Sequence, residues 1–212
     1  MRVFCVPVGP FEMSSYIVAP DTSDVCMLID PGDDIDKIVS VIDEHKLQPQ
    51  SIYNTHAHFD HVRRVRIIQD KYNLPFYICQ EDLPLLETLK DQGMLFGLDV
   101  STAPEVASFV KDGDRGELGD LSFRIFHTPG HSPGSICIYF DGHVFVGDVL
   151  FQDSIGRTDL YRGNYKQLLQ AIEEKLLVLP DDTIVYPGHG PQTTIGREKE
   201  SNPFLRANNS TI

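Results

Sequence analysis

His56, His58, Asp60 and His61 crowd one short segment, Thr55-His56-Ala57-His58-Phe59-Asp60-His61. Imidazoles and a carboxylate at that density are what a metal ion asks for. Three later turns each bring one more such group directly after a glycine: Gly130-His131, Gly147-Asp148 and Gly188-His189. Glycine lets the backbone pass close to something bulky just before the ligand. His56, His58 and His131 predict a three-histidine site with an open position, as a catalytic zinc requires. Asp60, His61 and His189 predict a second site. Asp148, with two oxygens, can bridge both. Two ions about 3.5–4 Å apart can hold a hydroxide between them and polarise a carbonyl at the same time. Such nitrogen and oxygen ligation suits two divalent ions, with zinc the expected metal and iron or manganese the alternatives. His56, His58 and Asp60 are then the catalytic core of the set, with Asp60 also orienting the nucleophile. Asp30 and Thr55 are candidates for fixing imidazole orientation. His45, His127 and His143 fall on no such turn and read as structural or solvent-facing.

The elements that must position these groups are legible nearby. Residues 51–54 are β-branched and aromatic and predict a strand. Val62, Val65, Ile68 and Tyr72 recur at helical spacing. The ligand segment therefore lies between a strand end and a helix start, with His56 and His58 on one side by alternation. Further strands are expected at 2–8, 14–19, 25–30, 75–79, 121–127, 135–140, 143–146 and 183–186, with Asp141-Gly142 as a hairpin turn. Pro49 is expected to break the chain before the ligand strand. Helices are expected after Asp33 or Asp34 (Ile35, Ile38, Val39 and Ile42 inward), over 81–95 (Leu85, Leu86 and Leu89 inward), after Asn164 (Leu168, Leu169, Ile172 and Leu176 inward) and around 198–201. Residues 97–105 read as loop, and Gly113, Gly116 and Gly119 interrupt the next stretch. The tail at 208–211 reads as frayed. Strands and helices in each half imply two packed sheets with helices outside.

Composition narrows the function. The 212 residues are 41% hydrophobic and 23% charged, which is ordinary for a soluble globular chain, and one domain over 1–212 is expected. A net charge of −13 leaves no basic stripe for nucleic acid and disfavours an anionic membrane surface. No apolar run has the length of a membrane span and the N-terminus lacks the form of a signal peptide, so the expected location is cytoplasmic. Cys5, Cys26, Cys79 and Cys137 are widely spaced and read as reduced, buried thiols.

The order HxHxDH, then Gly-His, Gly-Asp and Gly-His turns, resembles the metallo-β-lactamase fold superfamily over nearly the whole chain. The resemblance implies an α+β fold, a four-layer αβ/βα sandwich with metals at one edge of the two sheets. Asp60 with a bridging Asp148 looks like the hydrolytic branch that includes glyoxalase II, and unlike lactamases in which a cysteine serves the second metal. Gly147-Asp148-Val149-Leu150-Phe151, Ser154-Ile155-Gly156-Arg157-Thr158-Asp159-Leu160 and Asn202-Pro203-Phe204-Leu205 resemble short bacterial glyoxalase II-like proteins. The implied activity is hydrolysis of small-molecule S-acylglutathione thioesters such as S-lactoylglutathione, by attack of a metal-bridging hydroxide. Arg157 is the implied substrate contact, with Tyr161 and Arg206 as further candidates. Relatives commonly carry small residues one position after the ligand motif, where Arg63 and Arg64 stand here; the pair is expected either to shape or charge the cleft or to be solvated. Rival readings are a mononuclear-iron persulfide dioxygenase on the same fold, a lactonase or other metallo-hydrolase, and a non-catalytic metal-binding protein.

Overall fold

The computed structural model describes residues 1–206, so the tail at 208–211 lies outside the described residues. Strands β1 (Arg2–Val8), β2 (Met13–Ala19), β3 (Val25–Ile29), β4 (Gln48–Tyr53), β5 (Phe76–Cys79) and β6 (Val106–Val110) form one six-stranded sheet in that order. Its first two pairings are antiparallel and the rest parallel. The other strands are β7 (Arg115–Leu118), β8 (Leu121–His127), β9 (Ile136–Phe140), β10 (His143–Gly147), β11 (Leu150–Phe151), β12 (Ser154–Ile155), β13 (Ile184–Pro187) and β14 (Thr193–Thr194). They make a second six-stranded sheet, ordered β14-β13-β10-β9-β8-β7, and a small β11–β12 ribbon.

Strand alternation sends successive side chains to opposite faces, and each sheet feeds two different cores. On β3, Met27 and Ile29 enter the core between the sheets while Cys26 and Leu28 enter the one beneath the helices. On β10, Phe145 joins the inter-sheet core and Val144 and Val146 face the other way. Helices α1 (Ile35–Glu44), α2 (Phe59–Val62), α3 (Val65–Tyr72), α4 (Leu83–Glu87) and α5 (Leu89–Leu95) cover the first sheet through Ile38, Ile42, Val65, Ile68 and Leu85. Helix α6 (Tyr165–Ala171), its wider last turn Ile172–Leu176, α7 (Ile195–Ser201) and α8 (Pro203–Arg206) cover the second through Leu168, Ile172, Leu176, Ile195 and Leu205. The cores thus separate four layers, helix, sheet, sheet, helix, as expected. Asn164 caps α6 through its side chain, which accepts from the Gln167 amide at 3.1 Å.

Several expectations are corrected. Pro49 lies inside β4, where a register shift opposite Cys26 and Met27 accommodates the missing amide in a central strand. The helix expected over 81–95 is a 3₁₀ turn, Gln80–Asp82, followed by α4 and α5. Its break falls at Thr88, whose hydroxyl donates back to the Pro84 and Leu85 carbonyls at 3.0 and 3.2 Å and competes with the helical ladder. Strands β6 and β7 were not expected. Both are edges, so neither needs a two-sided apolar pattern. Asp34 takes the N-cap position of α1 without capping it; its carboxylate accepts from the Gly9 amide and Lys37 instead. Cys26, Cys79 and Cys137 are buried, but Cys5 is exposed because on edge strand β1 it takes the face opposite to the buried Val6 and Val8. Among the described residues no helix is long and apolar enough to cross a membrane.

Phe145 is fully buried between the sheets and stacks on Tyr186 at 4.6 Å. Phe145→Ala is expected to lower unfolding free energy by about 3–5 kcal/mol. Val178→Ala, at a side chain that is mostly exposed, should stay within about 0.5 kcal/mol. Urea titration of both variants checks this.

Candidate metal centre

Strands β3 and β4 run the same way, as do β8, β10 and β13, so their C-terminal ends reach one edge of the sandwich. Asp30 follows β3, His56 and His58 follow β4, and His131, Asp148 and His189 follow β8, β10 and β13. Asp60 and His61 lie in α2. The edge brings all seven sequence-predicted ligand residues together.

His58 Nδ1 lies 2.8 Å from His131 Nε2, which lies 3.3 Å from His56 Nε2. Nitrogens about 2.0–2.1 Å from a tetrahedral ion sit about 3.3 Å from one another, so this is the span of a three-nitrogen metal seat. His189 Nε2 lies 3.2 Å from Asp60 Oδ2, with His61 Nε2 4.0 Å from that oxygen. Asp148 stands between the groups: its Oδ1 is 3.5 Å from His61 Nε2, and its Oδ2 is 3.6 Å from His131 Nε2 and 3.7 Å from His189 Nε2. His61 Nε2 and Asp148 Oδ1 are buried with no hydrogen-bond partner. Buried polar atoms are rarely left so, and a cation between them resolves both.

The outward nitrogens show which lone pairs point inward. Thr55 Oγ1 donates to Asp30 Oδ2 at 2.6 Å, so at 3.1 Å it accepts from His56 Nδ1–H. His61 Nδ1 donates to Asp30 Oδ2 at 3.0 Å, His131 Nδ1 to the Arg157 carbonyl at 2.8 Å, and His189 Nδ1 to the Phe11 carbonyl at 3.2 Å. In each ring Nε2 is the nitrogen aimed at the centre, available to an ion once it carries no proton. His58 is turned over, with Nδ1 inward and its buried Nε2 unpartnered. Asp30 and Thr55 do what the sequence expected of them.

Burial and charge divide the ligands. Desolvation, with the neighbouring imidazoles, holds His56 well below its ordinary pKa and brings His58 to about 3. Burial opposes charge on His61 as well, but Asp30, Asp60 and Asp148 outweigh it and raise its pKa well above the usual histidine value. His189 is raised despite burial by its contacts with Asp60 and Asp148. Burial likewise disfavours ionised Asp148, yet His61, His131 and His189 hold its carboxyl well below the ordinary range.

Asp82 escaped the sequence reading, which placed it inside a helix. Its buried carboxylate accepts from the Ala57 amide at 2.8 Å, Ser132 Oγ at 2.8 Å and the Gly134 amide at 2.6 Å, tying the His56–His58 segment to the His131 loop. The signal that could have found it is an acidic residue just past the end of β5, as Asp30 and Asp148 stand past β3 and β10. Asn54 also went unnoticed; its side chain donates to the His61 carbonyl at 2.7 Å. Arg63 neither shapes the cleft nor meets solvent. It is buried, paired with Asp33 and hydrogen-bonded to the Asp99 carbonyl at 2.8 Å. Arg64 pairs with Asp99 at 3.2 Å.

A cleft of about 390 Å³ opens over the centre, lined by His58, Asp60, His131, Asp148 and His189 on the floor and by Arg157 and Tyr161 at one side. Arg157 makes a two-pronged pair with Asp159 at 2.7 and 2.8 Å. Arg206, on α8, is not among the lining residues. His127 bonds the Pro133 carbonyl, His143 bonds Tyr186, and His45 packs on Phe4, each away from the centre.

A sequence model of the metallo-beta-lactamase superfamily matches residues 8–189. Hydroxyacylglutathione hydrolase GloC of Haemophilus influenzae is 38% identical, covering 98% of this chain and 99% of its own. Among solved structures, the BLEG-1 B3 metallo-beta-lactamase superposes with a TM-score of 0.90 at 38% identity, over 96% of this chain and 99% of its own. TTHA1623 in a di-iron-bound form superposes with a TM-score of 0.88 at 39% identity, over 95% of this chain and 100% of its own.

Because Asp30, Asp60 and Asp148 raise the pKa of His61 well above the usual histidine value, an ion at the Asp60–His61–His189 group competes with a proton on that ring. Calorimetric titration of the metal-free protein with Zn²⁺ near pH 7, in buffers of different ionisation enthalpy, is expected to register the proton's release, with affinity rising as pH rises. Asp30→Ala should weaken metal binding by about 10–100-fold.

Proposed function

The chain belongs to the metallo-beta-lactamase superfamily, and from that premise we propose that it is a binuclear metal-dependent hydrolase of S-acyl thioesters, with S-lactoylglutathione the first substrate to try. The observation that carries the reading is Asp148, whose two oxygens face ligand groups on both sides while His61 Nε2 points at one of them unpartnered. A single-ion centre of two histidines and one aspartate would use that carboxylate toward one side only. The name of the GloC relative supports the thioester. Zinc is the proposed metal on the chemistry of the donors, and iron is the alternative that the di-iron form of TTHA1623 supports.

Metal ions held by His56, His58 and His131, by Asp60, His61 and His189, and by Asp148 between them would supply Lewis acidity and a water that ionises near neutral pH. The chain's own residues do the rest. Asp60, the ligand carboxylate nearest His189, is placed to accept a hydrogen bond from the attacking water and hold its lone pair toward the carbonyl. The outward acceptors on His56, His61, His131 and His189 keep those rings from turning during the reaction. A thiolate departs near neutral pH without a proton donor, and among the described residues that line the cleft Tyr161 is the one hydroxyl. Arg157 and Tyr161 are the proposed contacts to the thiol half, where a substrate carboxylate has to compete with Asp159 for the guanidinium.

Thiol release from S-lactoylglutathione, measured with metal content on the same sample, is the test. A kcat/KM of about 10⁴ M⁻¹s⁻¹ or more with two metals per chain is expected, and His58→Ala should lose both metal and activity. One iron per chain with oxygen uptake on glutathione persulfide would replace this reading by the dioxygenase.

A further inference from the structure

The cleft floor is charged, but its wall is not. Phe11, Phe59, Leu85, Leu95, Phe96 and Leu160 line it above the ligands. Phe59 and Phe96 stack at 4.6 Å, and Phe11 stands edge-on to both, at 5.5 and 5.8 Å. Phe59 directly precedes the ligand Asp60, so this aromatic wall begins at the metal centre. It ends in solvent: Phe11, Phe96 and Leu95 are 43%, 55% and 84% exposed. A contiguous apolar patch left open beside a reactive centre marks a contact surface, and one lining a cleft of this size fits a small ligand.

Two of the polar groups along the same walls are already engaged. Arg157 is closed by Asp159, and Gln92 donates its amide to the Leu85 carbonyl at 2.7 Å. A short hydroxylated acyl group such as lactoyl would lose water against rings that return no hydrogen bond. A hydrocarbon chain would gain there.

Resting on the thioesterase reading above, we propose that Phe11, Phe59, Leu95 and Phe96 form an acyl-group pocket, and that the substrate class is thioesters of medium-length aliphatic or aromatic acids. Water adds to the carbonyl carbon, the carbon–sulfur bond breaks, and the products are the carboxylic acid and the thiol, with the water's protons divided between them and no change of oxidation state. Each methylene laid against the wall contributes about fourfold in affinity until the pocket is full.

The test separates the pocket from the chemistry. S-Methylglutathione and S-hexylglutathione are thioethers that cannot be hydrolysed, so their binding to the metal-loaded protein reads the wall without turnover. Calorimetry is expected to show S-hexylglutathione binding about 60-fold more tightly, the gain from burying three of its five additional methylenes. Phe96→Ala and Leu95→Asn, both at exposed positions, should each shrink that ratio several-fold. In turnover, hexanoylglutathione should exceed S-lactoylglutathione in kcat/KM by a similar order. Equal affinity for the two thioethers, in protein that still releases thiol from S-lactoylglutathione, overturns the acyl pocket and leaves the thioesterase. Chain-length-dependent binding with no thiol released from any ester upholds the apolar site and overturns the thioesterase.

Discussion

Imidazole nitrogens that face one another in a dry space repel unless a cation lies between them, so the whole centre depends on forces that keep their lone pairs aimed inward. The chief of these is the Asp30 carboxylate. It is 2% exposed and accepts from the Thr55 amide at 2.7 Å, Thr55 Oγ1 at 2.6 Å and His61 Nδ1 at 3.0 Å. Through Thr55 it also orients His56. Asp30 itself sits at φ 50°, a left-handed backbone that aspartate tolerates better than most residues but that still carries strain. The strain is held by β3 and β4 on either side, which pair in register up to Ile29 and Tyr53.

The sandwich supplies rigidity where ligands need it. Side chains at strand ends inherit the order of the sheet, and loops that begin there are short and tied across. Asp82 joins two ligand loops. Tyr16, buried between the sheets, donates to the Pro187 carbonyl at 2.6 Å and fixes the strand end that delivers His189. Gly188 is required at that end, because a Cβ there would fall against Asp148 Oδ1 and 2.8 Å from the His61 ring. The edge is therefore packed closely enough that sub-ångström shifts in one loop would be felt in the next.

Electrostatically the two ligand groups are unlike. In the histidine-only group burial disfavours charge on His56 and His58, which leaves their nitrogens ready for an ion. The second group gathers Asp60 and Asp148 around His61 and His189 and raises the pKa of both rings. Asp148 belongs to both and couples them. Around this charged floor the aromatic wall lowers the local dielectric, which strengthens each polar interaction below it.

The candidate ligands were legible in the sequence alone. Metal binding needs particular side chains, and their spacing along a strand-to-helix turn, with a glycine before each later ligand, is short-range information. Helical periodicity and strand alternation likewise placed most of α1, α3 and α6 and the central strands, because each follows from the burial of one face. Tertiary structure decided whatever depends on partners far away in the chain. Asp82 reads as one more helix residue until the fold sets it beneath Ala57 and Gly134. Arg63 reads as a charge at the cleft until Asp33 draws it inward. Phe11, Phe59 and Phe96 come from separate segments and become one wall only when β2, α2 and α5 are packed. Local pattern records which face a residue takes, whereas the neighbour it meets there is set by long-range packing, and no single segment contains it.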